Sequence, residues 1–175
     1  MTMAETAEPS AEVPASRHIG LRIVLIIAAL FEAFDGFSNA FILFGDMSEI
    51  PGPGFGGFLI KAHIATHPVL ALATLLFAII GRVRYAIIAL GAVVMMTWLN
   101  YMPSVVLHGL GFSNAYSTLQ GTAQIIAFPL MAACAIAYAA RDQRLGIATA
   151  MVSIPTFLNL LGVVAFAISV AIYGF

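Results

Sequence analysis

Five apolar runs, each about as long as a bilayer is thick, constrain this chain more than any motif it carries. A helix crossing the roughly 30 Å hydrocarbon core needs about 20 mostly apolar residues. Runs that meet this cover about 19–44, 58–80, 85–107, 117–140 and 145–173. The fifth exceeds a straight crossing, and tilt or a kink at Pro155 absorbs the excess. Of 175 residues 62% are hydrophobic and 9% charged, whereas soluble domains carry about 25% charged residues. A water-soluble fold of this size leaves roughly a third of its surface exposed and has nowhere to hide so much apolar area. The sequence therefore predicts an all-α membrane protein: a five-helix transmembrane bundle in contact with the lipid bilayer.

The first sixteen residues, MTMAETAEPSAEVPAS, are rich in Ala, Glu and Pro and read as a disordered tail, leaving 17–175 as one transmembrane bundle. The tail lacks the basic n-region of a signal peptide, and the apolar run after Arg22 is too long for an h-region. It reads as a retained first span.

Basic residues give the orientation. Arg17 and Arg22 precede span 1, Arg82 and Arg84 join spans 2 and 3, and Arg141 and Arg144 join spans 4 and 5; Lys61 alone falls on the other side. The positive-inside rule then predicts a cytoplasmic N-terminus and an external, periplasmic C-terminus, in the cell (inner) membrane. The short turns GRVR and RDQR make hairpins of spans 2–3 and 4–5. The first external loop, GDMSEIPGPGFGGF, reads as a connector or a cap over the bundle mouth. GFSNA occurs at Gly36–Ala40 and again at Gly111–Ala115 without an extended match, so it is no duplication.

Net charge is −1 with no basic stripe, which leaves no basis for nucleic-acid binding. Cys134, the single cysteine, excludes an intramolecular disulfide and a thiolate metal cluster, and reads as small apolar filler within a helix.

Against this background the polar residues inside the spans stand out. Counted at about 1.5 Å per residue, Glu32 lies near the midplane, Asp35 about 18 Å up and His67 about 19 Å up. The same count puts His63 near 25 Å, Asn100 and Gln124 near 22 Å, and Asn159 near 20 Å. All five spans thus place a hydrogen-bonding side chain in one slab external of centre. Glu32, Asp35 and Asn39 share a helix face, as do His63 with His67 and Gln120 with Gln124. These faces are expected to meet in an external-side pocket, with His108 at its mouth and Asp35 facing His67. Gly36, Ala40, Gly91, Gly121 and Gly162 would permit close helix approach around it. Pro68 should kink span 2 with helix on both sides, and Pro103 and Pro129 should open spans 3 and 4.

An amide at this depth reads as interhelical glue, worth about 0.6 kcal/mol. A midplane carboxylate costs about 2.5–3.5 kcal/mol, and this chain offers it no basic residue at that depth. The acids therefore want a proton, a metal, a cationic ligand or a neighbouring subunit. Three classes of function follow. The first is a metal or redox-cofactor site built from Asp35, His67, Glu32 and His63, supported by the amides. Its donor types suit copper, zinc or iron. A haem held by His63 and His108, which requires the kink at Pro103 to lower His108, or a quinone using His67 and Asp35 as proton partners, belongs to the same class. The second is proton- or cation-coupled transport through a Glu, Asp and His relay. The third is a non-catalytic subunit of a larger membrane complex or homo-oligomer. The first class leads, acting within or beside a membrane oxidoreductase complex.

Overall fold

The computed structural model describes residues 18–44, 54–109 and 115–174. The N-terminal tail, most of the first external loop and most of the second GFSNA copy lie outside the described residues. Six α-helices follow in order: α1 Ile19–Ala40, α2 Phe55–Ile79, α3 Val83–His108, α4 Ala115–Thr122, α5 Phe128–Ala140 and α6 Leu145–Tyr173. A 3-10 turn, Phe41–Phe44, ends α1, and a five-residue π-helical segment, Ala123–Ala127, joins α4 to α5 into one rod. There are five rods in all, with no strand among the described residues.

Four rods are long and apolar enough to cross a membrane: Phe55–Ile79, Val83–Leu107, Thr118–Ala140 and Leu145–Tyr173. The first, α1, carries Arg22, Glu32 and Asp35 and falls outside that set. Large apolar side chains cover the outside of the bundle, among them Ile23, Leu30, Phe34, Leu72, Leu76, Leu130 and Ile168. A surface of this kind is stable against lipid rather than water. The chain is a multi-pass helical membrane protein.

Helices α2, α3 and α6 run on through Pro68, Pro103 and Pro155. Pro129 has a different effect. It cannot donate to the carbonyl four residues back, that of Ile125. The π-helical segment lies immediately before it, and the Trp98 indole on α3 donates to that same carbonyl at 2.9 Å. A buried-side polar group orphaned by proline is thus satisfied from a neighbouring helix.

The two ends of the bundle differ. At the end bearing the arginine turns the helices pack tightly through Leu25, Ala28, Ala78, Ile87, Leu90, Ala135 and Val152. Arg22 ties α1 to α2 at this end: its Nε donates to the Ala78 carbonyl at 3.1 Å and its guanidinium to that of Ile79 at 2.6 Å. These are the carbonyls that a helix C-terminus leaves unpaired. Toward the opposite end the rods separate. The outer half of α6 beyond Leu161 is exposed, and α4 has no extensive packing with another helix among the described residues.

Small residues set two of the closest approaches. A Cβ on Gly36 would come within 3.0 Å of the Pro68 nitrogen, and one on Gly91 within 2.7 Å of Ile136 Cγ1. Gly162, also expected at an interface, has open space where a side chain would stand. Cys134 is exposed on α5 rather than filling a helix contact, because its side of α5 faces away from the Ala132, Ala135 and Ala139 packing face.

Candidate functional site

Where the rods separate they frame an open cavity of about 900 Å³. Every rod contributes to it. Glu32, Asp35 and Asn39 enter from α1 and His63 and His67 from α2. Asn100 comes from α3, Gln120 from α4, Gln124 from the π-helical segment and Asn159 from α6. These polar residues, expected from the sequence to share one slab, thus line one cavity. His108 ends α3, and its side chain lies outside the described residues.

Glu32 and His67 of that lining meet Thr156 in the buried interior behind it. His67 Nε2 lies 2.8 Å from Glu32 Oε2, and the Thr156 hydroxyl donates to Glu32 Oε1 at 2.6 Å. All three are buried, with Thr156 fully so. One carboxylate on α1 is thereby tied to both α2 and α6. The 2.8 Å contact gives the Glu32 carboxyl group a polar partner within the bundle. That contact and the Thr156 hydrogen bond both offset the cost of burying the Glu32 carboxyl group. Gly36 makes the contact possible, since a side chain there would force α1 away from Pro68, the neighbour of His67.

The partner of His67 is Glu32, not Asp35. Asp35 is exposed toward the cavity, and the Asn39 side-chain amide donates to its backbone carbonyl at 2.9 Å. Its carboxylate is the only one of the pair free of a histidine contact within hydrogen-bonding distance. The expected metal set does not assemble either: among the described residues no three His, Cys, Asp or Glu side chains converge to hold an ion. Glu32 is committed to His67 and Thr156, and Asp35 points along a different azimuth of α1. His63 is buried, its ring 5.1 Å from that of His67. Its Nδ1 has no hydrogen-bond partner among the described residues.

Sequence reasoning missed three members of the site. Thr156 looks like an ordinary small residue of an apolar helix. Its signal is the repeat Thr149, Ser153, Thr156, spaced so as to fall on one face of α6. Tyr101 lines the cavity and hydrogen-bonds Gln124. Trp98 could have been suspected from Pro129, because a buried indole N–H seeks an acceptor and Pro129 leaves one at Ile125.

The rest of the cavity is aromatic and aliphatic, with Phe31, Tyr101, Phe128 and Phe166 around the polar wall. A second, water-sized space of about 20 Å³ lies behind Glu32, against Thr156, Asn159 and Trp98. It has room for one water and the polar partners a buried water needs.

No protein-family model matches the chain, and no curated protein or solved structure shows significant similarity to it.

Proposed function

We propose that the cavity binds a redox-active organic molecule of the quinone class. The protein then serves a membrane oxidoreductase system, receiving electrons from a partner subunit. The observation that carries this reading is the pairing of a roughly 900 Å³ chamber, partly aromatic, with the buried Glu32–His67 pair on its wall. Ligand sites of about 300–1,000 Å³ typically combine apolar walls with a few placed polar groups. A quinone ring asks for donors to two carbonyl oxygens and for protons when it is reduced. Asn100, Gln124 and Asn159 are donors of the right kind, and Glu32–His67 is the proton source. The exposed outer half of α6 and the weakly packed α4 favour entry from the bilayer, as an isoprenoid tail would require.

In this reading α1 joins the four apolar rods as a fifth span, with its acids turned inward. The arginine end faces the cytoplasm and the cavity opens toward the external side, in an inner membrane.

Photolabelling with an azidoquinone tests the proposal. Label should appear on peptides containing Tyr101 or Phe128, be displaced by excess unmodified quinone, and fall strongly in the Asn100→Leu/Gln124→Leu variant. Label spread over the outer helix faces and indifferent to competitor would sink it.

A further inference from the structure

Three hydroxyls on α6 lead away from Glu32 toward the arginine end. Thr149, Ser153 and Thr156 are spaced i, i+4, i+7, so they share one face and span about 10 Å of helix. Thr149 lies one turn above the start of α6 at Leu145. All three side chains are at least 98% buried. Elsewhere in the bundle helical threonines satisfy themselves by donating to the carbonyl four residues back: Thr66 to Ala62, Thr74 to Leu70 and Thr97 to Val93. This is the usual resolution for a hydroxyl within a helix. Thr156 instead donates to Glu32, and Thr149 Oγ1 and Ser153 Oγ have no partner among the described residues. Two adjacent buried hydroxyls left unpaired are costly. Water bridging them removes that cost, since neighbouring hydroxyls a turn apart are too distant to bond directly. The water-sized space against Glu32 and Thr156 meets this face at its Thr156 end.

We propose that this face is a hydrated proton path, joining Glu32 to the arginine end while the large cavity joins it to the other. A proton enters at the arginine turns and passes along waters and the hydroxyls of Thr149, Ser153 and Thr156. It reaches the Glu32–His67 pair and leaves through the cavity. The ionisable groups around Glu32 are His67 and His63 from α2, Asp35 from α1 and Tyr101 from α3; α6 presents hydroxyls and the Asn159 amide, none of which titrates. No net chemistry occurs, and an imposed membrane potential drives the movement. The path stands apart from the quinone reading, because it involves no bound organic molecule.

The test uses full-length protein in liposomes, with a valinomycin potassium potential and an internal pH dye, and no quinone present. Wild-type flux should exceed that of empty liposomes at least tenfold. Glu32→Gln should return it to the empty level, and Thr149→Val/Ser153→Ala should lower it about tenfold. Ser153→Thr, which keeps the hydroxyl, should retain it. Each variant is required to elute as the wild type does; if the double variant does not fold, Ser153→Ala alone carries the comparison. Wild-type flux no higher than empty liposomes, or hydroxyl-free variants conducting like wild type, would overturn the path. Either result leaves azidoquinone labelling untouched, so the two proposals fail separately.

Discussion

Arg22 and Ala78 set the register in which the site forms. The 3.1 Å hydrogen bond from Arg22 Nε to the Ala78 carbonyl ties the beginning of α1 to the end of α2. Glu32 lies ten residues beyond Arg22, and His67 eleven before Ala78. At about 1.5 Å per residue both stand some 15–17 Å from the shared anchor, which is why they meet. Arg22→Ala should cost about 1–2 kcal/mol through lost hydrogen bonds to the α2 carbonyls. Thermal unfolding in nanodiscs would measure it. Hydrogen exchange should rise at Ile79–Arg82 first, and unchanged protection there would refute the anchoring role.

The Glu32–His67 contact should behave as a coupled pair. His67→Ala leaves a buried carboxylate short of a partner, and a loss on the order of 3 kcal/mol is expected. Adding Glu32→Gln should cost much less than its own single effect, since residues in contact are not additive. Thr156→Val should cost about 1 kcal/mol. Asp35→Asn, at an exposed position, should stay within about 0.5 kcal/mol of wild type. Additive losses at Glu32 and His67 would count against the pairing.

Gly36 and Gly91 offer a contrast in what a methyl group meets. At Gly36 it meets backbone, the Pro68 nitrogen and Cα; at Gly91 it meets the side chain of Ile136. Gly36→Ala should destabilise by about 1–3 kcal/mol, the usual range for overpacking. It should also disturb the His67 ring signals in an NMR spectrum. Gly91→Ala should be rescued in large part by Ile136→Ala, whereas no side-chain truncation on α2 should rescue Gly36→Ala.

Trp98 and Pro129 form a third testable unit. Trp98→Phe leaves the Ile125 carbonyl unpaired and should cost about 1–3 kcal/mol. In a Pro129→Ala background the restored backbone N–H can serve that carbonyl, and the same substitution should cost clearly less. Equal costs in both backgrounds would contradict the proposed division of labour.

How far the sequence could be read depended on the kind of information each feature needs. Span positions follow from a one-dimensional property, transfer from water to hydrocarbon, and the observed rods fall within a few residues of the expected ones. The convergence of Asn100, Gln124 and Asn159 on the cavity follows from depth, which rise per residue fixes to about a turn. The exchange of Asp35 for Glu32 lay beyond that resolution. The two acids are less than one turn apart, and the choice between them depends on the Arg22 anchor and on the azimuth of α1 against Pro68. A metal site fails for a similar reason: suitable donors share a slab, yet their side chains do not point at one centre. Thr156 was hidden because a hydroxyl's importance rests on its partner, and that partner is 124 residues away.

Trp98 is the only tryptophan in the chain. Its single indole N–H is fixed to Ile125, in the π-helical segment whose Gln124 lines the cavity. The protein thus carries its own optical gauge. Emission from one fluorophore, with no second tryptophan to dilute it, reports the state of the helix segment that borders the chamber. Filling, emptying or collapse of that chamber can be followed by light in the unlabelled wild-type molecule.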